Sequence, residues 1–82
     1  MVTIHRAHGL KFVIYVDDHE PAHVHVFGDG QMKIVIDGAD GLPEAVEAIG
    51  MKANVRRRAL DVVRDHQDAF RARWNEIHGD KS

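Results

Sequence analysis

The sequence predicts an α+β fold: an antiparallel four-stranded meander (β-β-β-β) covered on one face by one long C-terminal helix. Two observations predict it. Residues 2–37 alternate apolar and polar side chains with period two, the signature of half-buried strands. From Val55 onward the apolar positions Val55, Ala59, Val62, Val63, Phe70, Trp74 and Ile77 recur at spacings of three, four or seven, the stripe of an amphipathic helix.

The strands follow in order. "VTIHRA" sets Val2 and Ile4 against Thr3, His5 and Ala7, and "LKFVIYV" sets Leu10, Phe12, Ile14 and Val16 against Lys11, Val13 and Tyr15. "AHVHVF" sets Ala22, Val24 and Val26 against His23, His25 and Phe27, and "MKIVID" sets Met32, Ile34 and Ile36 against Lys33, Val35 and Asp37. The links His8-Gly9, "DDHEP" and "GDG" have hairpin lengths and hairpin residues. In "GADGLPEAVEAIGM", Pro43 suits a first helical position and Gly50 a break, so residues 42–50 are expected as a short helix or a loop. The long helix is expected over about 54–78, with Asn54 as N-cap and Gly79 as stop. One docking buries both apolar faces, with Phe70 and Trp74 supplying much of the area. The whole, residues 1–82, reads as a single small domain.

Composition narrows the function. The formal net charge of -2 provides no bulk attraction to nucleic acid, although seven of the eleven Lys and Arg fall between Lys52 and Arg73. The run Arg56–Arg58 opens the helix against its dipole; pairing of Arg57 with Asp61 and of Arg64 with Asp68 is the expected account. The chain has no cysteine, which excludes a disulfide framework, thiolate metal sites and a cysteine nucleophile. No apolar run approaches the roughly 18 residues of a membrane span, and the N-terminus lacks a secretory pattern. A cytoplasmic protein with no membrane contact is expected.

Three of the seven histidines fall within residues 19–25. If Val24 and Val26 face the helix, His23 and His25 face away from it, together with His5, Lys11, Tyr15, Phe27 and Lys33. Cations, imidazoles and aromatic rings on one sheet face can stack bases and hold phosphates. Cleavage of RNA through its own 2′-hydroxyl needs a base, an acid and a cation near the phosphate. His23, His25, Tyr15 and Lys11 are the candidate catalytic groups, and His5, Phe27 and Lys33 the candidate nucleic-acid contacts. No cofactor is expected and no metal is favoured. If one binds, His19, His23 and His25 are its candidate ligands, with Asp17, Asp18 or Glu20 completing the shell.

On the residues "DHEPAHVHV", "TIHRAHGLKFVIYVDD" and "HQDAFRARWNEIHG", the chain resembles a family of small bacterial proteins catalogued as domain of unknown function 4160. That family's pattern runs Asp-His-x-Pro-Pro-His-His/Val-His, so the motif falls on Asp18, His19, Pro21, His23 and His25, with Ala22 in place of the second proline. The resemblance implies a gene neighbour encoding a second small protein, and some members carry a toxin–antitoxin label. The expected function is therefore a toxin–antitoxin-type component that binds RNA and cleaves it without metal, held in check by a small partner encoded nearby. The alternative is a non-catalytic antitoxin or adaptor that docks a partner on its exposed sheet face. Under either reading, a homodimer through the free edge of the first or fourth strand is expected.

Overall fold

The computed structural model describes residues 1–79. Five strands form one antiparallel sheet in the order β1-β2-β3-β4-β5: β1 Val2–Ala7, β2 Leu10–Ile14, β3 His23–Phe27, β4 Gln31–Val35 and β5 Glu44–Ile49. Two helices follow, α1 Ala53–Asp65 and α2 Gln67–Ile77. The meander and its helical cover are as the alternation predicts. The fifth strand and the divided helix are not.

The fifth strand stands where a short helix or loop was expected. Glycines close its hairpin: Gly38 N–H donates to the Leu42 carbonyl at 2.8 Å, Gly41 N–H donates to the Gly38 carbonyl at 2.9 Å, and Gly41 has φ +84°. A Cβ on Gly38 would stand 2.6 Å from that Leu42 oxygen, so the turn admits no side chain there. "EAVEAI" is then drawn alongside β4, whose backbone would otherwise be an open edge. A bulge at Val46 brings both Ala45 and Ala48 opposite the core residues Ile34 and Met32, which breaks the alternation that would have announced a strand.

The helix divides at His66, whose φ of −115° is not helical. His66 Nδ1–H donates to the Val62 carbonyl at 2.9 Å, a side-chain bond that competes with the backbone ladder. α1 also starts one residue before the expected cap: Lys52 is the N-cap, and no side chain caps the helix. Gly79, at φ +71°, follows the last turn as expected. The division separates Arg64 from Asp68, and Asp68 pairs instead with Arg71 at 2.8 Å. No Arg57–Asp61 pair forms among the described residues; Arg56 donates to the Met51 carbonyl at 2.7 Å.

Phe12, Ile14, Val24, Val26, Ile34 and Ile36 from the sheet meet Ala59, Val62, Val63, Phe70 and Trp74 from the helices in one core. α2 is also tied to the β4–β5 turn. Gln67 Nε2 donates to the Ile36 and Gly41 carbonyls, and Arg71 grips both oxygens of Asp37 at 2.6 and 2.7 Å. Among the described residues, no helix is long and apolar enough to cross a membrane.

Candidate functional site

The β2–β3 connection builds a compact polar cluster. Residues Tyr15–Asp18 close a turn through Asp18 N–H donating to the Tyr15 carbonyl at 3.1 Å. The Asp18 carboxylate folds back, with Oδ2 accepting the Tyr15 N–H at 3.4 Å. His23 and His25, two apart on β3, project to the same side, with ring centroids 5.0 Å apart. Their Nε2 atoms converge on Asp18 Oδ2, at 3.1 Å from His23 and 3.2 Å from His25.

The two imidazoles differ in setting. His25 is one-quarter exposed; its Nε2–H donates to Asp18, and the Tyr15 ring meets it edge-on at 4.7 Å. Burial lowers the His25 pKa from its ordinary value; Asp18 opposes this shift, and His23 and Lys33 add to it. His23 is only 4% exposed. Its Nδ1–H donates to the Pro21 carbonyl at 2.9 Å, while Nε2 has no hydrogen-bond partner among the described residues. The expectation that both rings look outward, away from the helix, holds for His25 and fails for His23. The His23 ring lies 5.2 Å from that of Trp74, because α2 overhangs this end of the sheet and closes over it. Trp74 is itself held by donating Nε1–H to Glu20 Oε2 at 3.2 Å, and the His78 ring stacks on it with centroids 3.8 Å apart.

The rest of the outer sheet face follows from register. One row runs Val13, His25, Lys33, Glu47, and the next runs Arg6, Lys11, Phe27, Gln31, Ile49. Tyr15, His25, Phe27, Gln31, Lys33 and Glu47 line a shallow pocket of about 290 Å³ together with Met32. Four residues singled out from the sequence thus meet around one hollow. Lys11 lies at its margin, with Nζ 6.0 Å from the Phe27 ring centre and Val13 between it and His25 along the face.

Two expectations need correction. His5 is not on this face. A bulge between Thr3 and His5 shifts the alternation by one, so His5 pairs with core residue Phe12 and packs 4.4 Å from His66 and 5.7 Å from Phe70. The same shift places Arg6, which sequence alternation had not selected, beside Lys11 on the outer face. His19 is exposed and lines a neighbouring groove with Asp17, Asp18, Glu20, Trp74 and His78, but it is not part of the cluster; the carboxylate that joins His23 and His25 is Asp18. Glu47 was missed as well, because its strand was not anticipated.

A family model described as "Domain of unknown function (DUF4160)" matches residues 9–75. No curated protein and no solved structure matches the chain.

Proposed function

The chain belongs to the DUF4160 family, and on that premise we propose that it binds single-stranded RNA on its outer sheet face and cleaves it beside Asp18 and His25. The observation that carries this reading is the pocket in which Tyr15, Phe27, Lys33 and His25 meet. Its two aromatic rings offer a stacking surface for a base, and Arg6, Lys11 and Lys33 are the cations for the flanking phosphates. The Asp18–His25 pair takes the proton of the strand's 2′-hydroxyl. The 2′-oxygen then attacks phosphorus, the bond to the 5′-oxygen breaks, and that oxygen leaves with a proton from water. The products are a 2′,3′-cyclic phosphate and a 5′-hydroxyl. In the cell this would be the toxin-type activity of a single small cytoplasmic domain, restrained by a small protein encoded nearby.

The test is binding and cleavage of labelled single-stranded RNA by purified protein. Tyr15→Ala and Phe27→Ala should each weaken binding by about 5- to 100-fold, the weight of one stacked base. Arg6→Ala should weaken it and lower the salt slope by about one, whereas His5→Ala should leave both unchanged. His25→Ala should still bind RNA and should not cleave it. Cleavage at the wild-type rate by His25→Ala ends the catalytic part of the proposal.

A second reading, the non-catalytic antitoxin or adaptor, draws on β5. Val46 and Ile49 are each about half exposed on this free edge strand, a surface on which a partner can add a strand. It predicts a stable one-to-one complex with the neighbouring gene product and no RNA cleavage.

A further inference from the structure

The geometry points to Asp18, His23 and His25 as a binding site for one divalent transition-metal ion of the zinc type. One donor atom from each of the three residues lies within 4.8 Å of the other two. The separations from Asp18 Oδ2 are 3.1 Å to His23 Nε2 and 3.2 Å to His25 Nε2. Around a tetrahedral ion with bonds of about 2.0–2.1 Å, neighbouring ligand atoms stand roughly 3.3–3.4 Å apart. These two separations therefore need to open by only a few tenths of an ångström, and on binding His25 moves its ring proton from Nε2 to Nδ1.

The independent observation is His23 Nε2. It is a polar atom on a ring 95% or more out of contact with water, it has no hydrogen-bond partner among the described residues, and Asp18 Oδ2 lies only 3.1 Å away. With Nδ1–H given to the Pro21 carbonyl, the neutral ring presents a lone pair at Nε2. A buried lone pair held 3.1 Å from a carboxylate oxygen is repelled by it, and a cation bound by both reverses the sign. The backbone carbonyl on Nδ1 is also the support that metal-ligating histidines characteristically have, fixing ring orientation and tautomer. On the other ligand, the Tyr15 N–H steadies Asp18.

Donor type sets the class of ion. Two imidazoles and one carboxylate, in a chain without cysteine, suit zinc, nickel, copper or iron(II) better than the oxygen-seeking magnesium and calcium. Three protein ligands leave a position for water, as catalytic rather than structural zinc sites do. That position opens where the site is accessible, since Asp18 and His25 are 20% and 24% exposed against 5% for His23. The opening lies beside the pocket assigned above to RNA. The metal site does not rest on the RNA reading. If both hold, the ion would supply a bound hydroxide as the base for the 2′-hydroxyl in place of the imidazole, and cleavage would depend on metal, contrary to the metal-independent reaction expected from the sequence.

The experiment uses untagged protein stripped with chelator, titrated with cobalt(II) and then with zinc(II). The expected result is one equivalent of cobalt giving the visible absorption of a low-coordinate cobalt centre, displaced by one equivalent of zinc. His25→Gln and Asp18→Asn should each lose more than the roughly 10- to 100-fold in affinity that removing an outer hydrogen-bond partner costs. His19→Ala should titrate like the parent. Circular dichroism of each variant separates lost ligation from lost fold, and the partly exposed His25 is the variant that keeps the fold. No cobalt spectrum, or undiminished affinity in His25→Gln, overturns the site. RNA binding measured in chelator is a separate readout, so failure of one proposal is visible independently of the other.

Discussion

Asp18 is the residue on which the site turns, because its single oxygen Oδ2 joins two histidines that strand geometry merely places side by side. The sequence made the histidines conspicuous and offered three neighbouring carboxylates; only the turn that returns Asp18 to the Tyr15 amide decides among them. Trp74 is the other residue with a double task, filling the core and roofing His23. Trp74→Ala should cost about 3–5 kcal/mol, as removal of a large core aromatic does, read from urea denaturation. His5 carries a pH consequence. Burial, then the nearby His66, lowers its pKa below the ordinary imidazole value. The unfolded chain therefore takes up a proton at higher pH than the folded one, and stability falls as pH drops below about 6.5. His5→Leu should flatten that decline between about pH 7 and 5.5; an unchanged slope would assign it to other groups.

At the scale of elements, the strands with clean alternation were legible and the bulged ones were not. β2, β3 and β4 put the expected apolar residues into the core, except that Val16 lies beyond β2 and is exposed, while Val13, expected on the polar side, is buried. β1 exchanged His5 for Arg6 on the outer face because one extra residue reverses every side chain beyond it. β5 is made of Glu, Ala, Val and Ile in an order that suits a helix, and it is a strand because β4 and the glycine turn hold it in place. Its position moves the sheet's second free edge from the fourth strand, where dimerisation was expected, to the fifth. The clamp from α2 onto the β4–β5 turn has a titratable half. Arg71 beside Asp37 holds that carboxyl below its usual value, more strongly than desolvation raises it. A lowered carboxyl pKa contributes stability above the ordinary carboxylate range and loses it as pH falls through the folded value. Arg71→Gln should thus be less stable than the parent at neutral pH, with the gap closing below about pH 4. A gap that is constant with pH would show that the clamp acts through packing alone.

Across the whole molecule, the helices pack on one face of the sheet and, Trp74 over His23 apart, leave the other face to the candidate chemistry. The sheet–helix layering and the identity of Phe70 and Trp74 as its mortar were readable from periodicity, which depends only on local spacing. The charge of the outer face was not. Arg6 and Lys11 stand at one side of it, and Glu44 and Glu47 at the other, so the face is divided rather than uniformly basic. A polyanion should therefore lie toward β1–β3 and away from β5. The most direct test is an amide NMR titration of the uniformly ¹⁵N-labelled protein with a short single-stranded RNA. The predicted result is a set of perturbations confined to Arg6, Lys11, Tyr15, His25, Phe27, Lys33 and their strand neighbours, with the amides of α1 and α2 unmoved. Perturbations confined to the helices, or none at saturating RNA, would contradict the account.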